Sequence, residues 1–135
     1  MMKLMPLRIP SGWCVVFNKF VELPPAVDVT PADRDAYLSQ DILSMLSTTY
    51  SGDDWRTGED SLILDLGWYE PRGVGGLYRL VLLKGSWDEV VISVEDADQY
   101  VVRDCIDHIL EILSNGASLN DLAAEFAQLS DGQWS

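Results

Sequence analysis

Leu62, Leu64, Leu66 and Trp68 alternate with Ile63, Asp65, Gly67 and Tyr69, the two-residue period of a strand with one buried face. Glu70 to Gly76 (EPRGVGG) reads as a turn, and Leu77 to Lys84 (LYRLVLLK) is again strand-like, which predicts an antiparallel hairpin. Gly85 to Glu89 is a second turn, and Val90 to Val94 completes a three-strand meander. Upstream, Trp13 to Val21 (WCVVFNKFV) is aromatic and β-branched and lies between Pro10-Ser11-Gly12 and Pro24-Pro25, as a strand should. Thr30-Pro31-Ala32-Asp33 carries the marks of a helix start, and Leu38, Ile42, Met45 and Leu46 follow at helical spacing up to Ser51-Gly52. Val101, Val102, Cys105, Ile106, Ile109, Leu110 and Leu113 form one broad stripe of a long helix that Asn115-Gly116 stops. A shorter helix follows, started by Ser118 and marked by Leu119, Leu122, Phe126 and Leu129.

The predicted order is strand, helix, three-strand meander, two helices. The fold class is therefore α+β, an antiparallel sheet of about four strands with helices packed on one face. The chain has 135 residues, 47% of them apolar, which suits a single domain over 1–135 with its own core and without a metal or disulfide.

Charge narrows the function classes. Lys and Arg number 9 against 22 Asp and Glu, a formal net charge of −13. Such a potential repels phosphate backbones and anionic lipid, so neither nucleic acid nor membrane is an expected partner. The charge is uneven: residues 85–135 carry −10 and residues 1–84 carry −3. Either the acid only solubilises the protein, or it matches a basic partner. Cys14 and Cys105 are the only cysteines; both fall in segments that read as core, which suits a reducing cytoplasm rather than a disulfide framework. Pro6, Arg8 and Pro10 interrupt the opening segment, so no signal peptide is read there, and no apolar run approaches the roughly 20 residues of a membrane span.

Residues that carry chemistry are few. His108 is the only histidine, and Asp104 four residues before it is its expected ion-pair partner. Cys14, between Trp13 and Val15, reads as a small buried hydrophobe rather than a nucleophile. Asp65 breaks an apolar strand and is expected to pair with Arg79 on the neighbouring one. Gly73, Gly75 and Gly76 precede a strand and no Lys follows them, so they form a turn and not a phosphate loop. No catalytic set, metal site or cofactor motif emerges, and the chain is expected not to be an enzyme. What remains is acid beside tryptophan in two loops: Asp53, Asp54, Trp55, Glu59 and Asp60 in the first, Trp87, Asp88 and Glu89 in the second. Aromatic rings flanked by carboxylates are the composition of a protein–protein contact facing Arg and Lys. Trp13 and Trp68 are expected in the core.

Two stretches, Leu7 to Pro25 and Leu64 to Val90, together about a third of the chain, resemble a group of small bacterial toxin-immunity proteins, including those of contact-dependent growth inhibition. The resemblance rests on Ile9, Pro10, Gly12, Trp13, Asn18 and Phe20, and on the Gly67-Trp68-Tyr69 hairpin with Trp87 downstream. It implies a non-enzymatic cytoplasmic inhibitor that binds one cognate toxin domain and covers its active site or substrate-binding surface. An acidic binder suits a basic, nuclease-type toxin. The alternative is a small-ligand-binding or adaptor α+β domain with no toxin partner, which an apolar pocket with converging polar groups would favour.

Overall fold

A computed structural model of the chain describes residues 3–24, 28–51, 54–56, 61–70, 76–85 and 89–129. The elements in chain order are β1 (Lys3–Leu4), β2 (Trp13–Asn18), β3 (Val21–Glu22), α1 (Pro31–Tyr37), β4 (Leu43–Ser47), β5 (Thr49–Ser51), β6 (Asp54–Arg56), β7 (Leu62–Tyr69), β8 (Leu77–Lys84), β9 (Val90–Asp96), α2 (Gln99–Ser114) and α3 (Leu119–Leu129). The fold is α+β. Its centre is a five-stranded antiparallel sheet in the order β2-β4-β7-β8-β9, and β1-β3 and β5-β6 are separate two-stranded ribbons.

The β7–β8 hairpin forms as its alternation predicts, from Leu62 opposite Lys84 to Tyr69 opposite Leu77. β9 continues the meander, with a register shift between Leu82 and Leu83. The even positions of β7 and β8 face the helices: Leu64, Leu66, Leu80 and Leu82 are fully buried, in one cluster with Val102, Cys105, Ile106, Ile109 and Leu110 of α2 and Leu122 and Phe126 of α3. Burying each such side chain is worth about 1.5–3 kcal/mol, so this single face supplies most of the drive to fold. Burial also raises the Cys105 thiol to about 12, which keeps it protonated and inert.

The starts of α1 and α3 are those the sequence predicts, whereas α2 begins after Asp98, because Asp96 still belongs to β9. The Thr30 hydroxyl accepts the Asp33 N–H at 3.1 Å, Asp98 accepts Tyr100 N–H at 2.8 Å, and Ser118 accepts Asp121 N–H at 3.1 Å. Gly116 takes φ 87° after α2, a left-handed stop that favours glycine.

The stretch from Leu38 to Tyr50 departs from expectation. α1 ends at Tyr37, and Leu43 to Ser47 form a strand that lies between β2 and β7, so the sheet has five strands rather than about four. Ile42, Leu43, Ser44 and Met45 are all buried, because a central strand in mid-sheet loses solvent on both sides. A short run of apolar residues fits a helical stripe and a buried strand equally well, and pairing with β2 and β7 decides for the strand. The predicted first strand is also divided. The Asn18 side chain accepts the Phe20 N–H at 2.9 Å, the chain bends there, and Val21–Glu22 pairs with β1 instead.

Gly67 is required by a close approach. Backbone of the 39–42 segment runs along β7, with Trp68 N–H donating to Ser39 O at 2.8 Å and Ile42 N–H to Leu66 O at 2.9 Å. A Cβ on Gly67 would fall onto the Gln40 carbonyl oxygen, which is main chain and has no flexible end to yield. Gly67→Ala is expected to cost about 1–3 kcal/mol and Leu66→Ala about 2–5 kcal/mol, both read as lowered midpoints in urea unfolding followed by far-UV circular dichroism.

Candidate interaction surfaces

The sheet has two ends, and the chain divides its chemistry between them. At one end β4 leaves and β7 enters, and β8 leaves and β9 enters. The connections 48–61 and 85–89, which hold the two acid–tryptophan loops, therefore root side by side. Gly85 N–H donates to Ser61 O at 2.9 Å, Lys84 N–H to Glu89 O at 3.0 Å, and Leu62 N–H to the Ser47 hydroxyl at 2.7 Å. Of the eight candidate residues, Asp54 and Trp55 lie on β6, Trp55 opposite Tyr50 of β5, so that part is a β-ribbon rather than an irregular loop. Glu89 is exposed where β9 begins. Asp53, Glu59, Asp60, Trp87 and Asp88 lie outside the described residues.

The face of the sheet turned away from α2 and α3 is mixed. Asp65, Tyr69, Arg79, Val81, Ser93 and Glu95 border an open groove of about 370 Å³. Arg79 lies 4.5 Å from the centre of the Tyr69 ring and 3.6 Å from the Glu95 carboxylate. The expected Asp65–Arg79 pair is thus replaced: register sets Arg79 opposite Gly67 and Glu95, and Asp65 opposite Ser44 and Val81. An acid directly across the strand holds the guanidinium better than one on the diagonal. Half-burial, and then the neighbouring Asp41 carboxylate, push the Asp65 carboxyl up to about 6, against a smaller opposing hydrogen bond from Ser44.

Along the sheet's β2 edge, Val15, Val16 and Phe17 are exposed apolar side chains, and a register shift between Val15 and Phe17 bulges the strand. Cys14 is exposed there, not buried as expected. An edge strand has a neighbour on one side only, and β2 lies beyond the reach of the helices.

On the helical side, the expected His108–Asp104 pair is absent. Asp104 binds Arg103, whereas His108 Nε2 meets Glu125 Oε1 of α3 at 2.5 Å. The short connection after α2 folds α3 back, and Glu125 reaches the imidazole from the partner helix. Asp107 accepts the Arg8 backbone N–H at 2.8 Å and ties the N-terminal segment to α2. Among the described residues, no group of three or more His, Cys, Asp or Glu side chains is placed to hold a metal ion, and no helix is long and apolar enough to cross a membrane.

The opposite end of the sheet holds a cluster that no motif announces. Glu70 accepts from the Arg34 guanidinium and, at 3.3 Å, from the Trp68 indole. These donors hold the Glu70 carboxyl below its ordinary range. Arg34 lies 5.9 Å from the Trp68 ring centre, and Trp68 meets Tyr78 edge-on at 4.9 Å. The Thr30-Pro31 helix start is what positions Arg34, and the Asp98 cap positions Tyr100 nearby. Trp13 and Trp68 are partly buried and pack against the core.

No family model, curated protein or solved structure matches the chain.

A raised carboxyl makes a signed prediction. With a folded value near 6 against the ordinary 3.8, Asp65 binds its proton more tightly when folded. Its contribution to stability therefore falls as the pH rises between about 4 and 6. Asp65→Asn is expected to be more stable than the parent by about 1 kcal/mol at pH 7, after allowance for partial solvation, and to lose that advantage at pH 4. Denaturant unfolding of the two proteins at both pH values checks this.

Proposed function

We propose that the protein is an immunity-type inhibitor, a non-catalytic cytoplasmic binder that neutralises one cognate toxin domain with a basic, nuclease-like substrate surface. The observation that carries the reading is the shared rooting of the two acid–tryptophan connections, joined by the Gly85–Ser61 hydrogen bond. Residues 35 positions apart in the chain, such as Asp54 and Glu89, have no sequence reason to act together. The sheet order, however, roots the connections 48–61 and 85–89 at one end, and their described parts carry Asp54, Trp55 and Glu89; the proposed contact extends to Asp53, Glu59, Asp60, Trp87 and Asp88 of the same connections. Acid of this density competes with nucleic acid for a cationic cleft, and tryptophan supplies apolar contact area. The remaining charge of α2 and its flanks steers the approach, an effect worth roughly 10- to 1,000-fold in association rate. Rapid capture is what an inhibitor needs once a toxin is inside the cell. The sheet and helices serve as a rigid frame for these contacts.

The test uses the protein encoded by the adjoining reading frame as partner. Replacing Asp53, Asp54, Glu59 and Asp60 together by Lys is expected to slow association by roughly 10- to 1,000-fold and to abolish protection of cells expressing that partner. The thermal midpoint should stay within a few degrees of the parent. Unchanged association in a variant that folds would remove this end of the sheet from the interface.

A further inference from the structure

At the end of the sheet away from the acid–tryptophan connections, a cleft of about 530 Å³ opens between Leu23, Pro24 and Val29 on one side and α1 and the start of α2 on the other. Its size falls within the roughly 300–1,000 Å³ of small-molecule sites. The walls are Leu23, Leu38, Trp68, Tyr78 and Tyr100, an apolar and aromatic lining. The polar groups of the lining are largely committed. The Gln99 amide donates to Leu23 O at 2.9 Å and accepts Leu23 N–H at 2.8 Å. Arg34 and the Trp68 indole both serve Glu70, and the Asp98 carboxylate caps α2.

Tyr78 is the exception. It is 3% exposed, packed edge-on against Phe20 and Trp68, and its hydroxyl has no hydrogen-bond partner among the described residues. A buried phenol without a partner is costly, because desolvation is paid with no bond in return. Burial also raises its titration to about 12, so the group stays a donor at neutral pH. The formal charges in the lining, Arg34 and Asp98, are of opposite sign and leave the cleft without net charge.

We infer that this cleft is a binding site for a small neutral ring compound carrying one hydrogen-bond acceptor, a carbonyl or ring nitrogen, that takes the Tyr78 hydroxyl. The apolar body of such a ligand stacks among Trp68, Tyr78 and Tyr100, and its acceptor satisfies the one buried hydroxyl of the lining that has no partner among the described residues. The inference goes beyond the inhibitor reading and is independent of it, since the site lies at the other end of the sheet.

The experiment compares acetophenone with ethylbenzene, rings of similar shape with and without the acceptor, by titration into the labelled protein followed by amide and indole NMR. Acetophenone is expected to shift the Trp68 indole signal and the Ala97, Gln99 and Tyr100 amides, and to bind roughly 3- to 10-fold more tightly than ethylbenzene, the worth of one net hydrogen bond. Tyr78→Phe should erase that preference while the ligand-free thermal midpoint holds or rises, because no protein hydrogen bond is lost. Ala97→Phe on the exposed rim should weaken both compounds. Shifts scattered outside the cleft, equal affinities in the parent protein, a preference that survives Tyr78→Phe, or a lowered ligand-free midpoint in that variant would each overturn the inference.

Discussion

Leu64 and Leu66 of β7 and Leu80 and Leu82 of β8 reach no solvent because Cys105, Ile106, Ile109 and Leu110 of α2 belong to the same packed cluster. Among the described residues α2 and α3 pack on one face of the sheet, so that face is sealed and the other must be tolerable to water. Much else depends on that asymmetry. The odd positions of β7 and β8 can hold Asp65, Tyr69 and Arg79, since a sheet face that no helix covers accepts charge. It also explains why Asp65 is strained electrostatically rather than excluded: half-buried beside Ser44 and Asp41, it sits where the open face begins to close.

The same asymmetry sets what the ends and edges present. β2 lies at the margin of the sheet, past the helices, and its Cys14, Val15, Val16 and Phe17 are exposed although their composition is that of a core strand. The bulge there bends the strand and blunts the edge against indiscriminate pairing. Ion pairs add little to this frame. The Arg79–Glu95 pair is exposed on both sides, and such contacts contribute no more than about 1 kcal/mol; they orient side chains on a scaffold that apolar burial has already built.

The hairpin, the meander, the long amphipathic helix and the starts of α1 and α3 were legible in the chain because each depends on its own residues: a two-residue period, a 3.6-residue stripe, a Thr or Ser cap. β4 was not. Leu38, Ile42, Met45 and Leu46 satisfy the helical period, while Leu43 and Met45 around Ser44 satisfy the strand period, and only the vacant place between β2 and β7 separates them. The fate of Cys14 was hidden for a related reason, since being an edge strand is a property of the sheet and not of the strand. Likewise Asp65 and Arg79 were correctly placed on adjacent strands, but Glu95 of a third strand intervenes. His108 was read against its own helix, whereas its partner comes from α3.

Sheet order also separates the molecule's two kinds of surface. The acid–tryptophan connections attach where β4 and β8 end, and the aromatic cleft forms where β7 ends and α2 begins. A charged rim suits a large partner drawn from solution by its field, because long-range attraction is of use only where desolvation is partial. An open aromatic cleft suits the reverse case, in which affinity comes from removing water and from one well-placed donor. Placing the two at opposite ends keeps the carboxylate field away from the apolar site. It also puts Tyr78, whose ring packs on Phe20 and Trp68 and whose hydroxyl has no partner among the described residues, in the wall of that cleft.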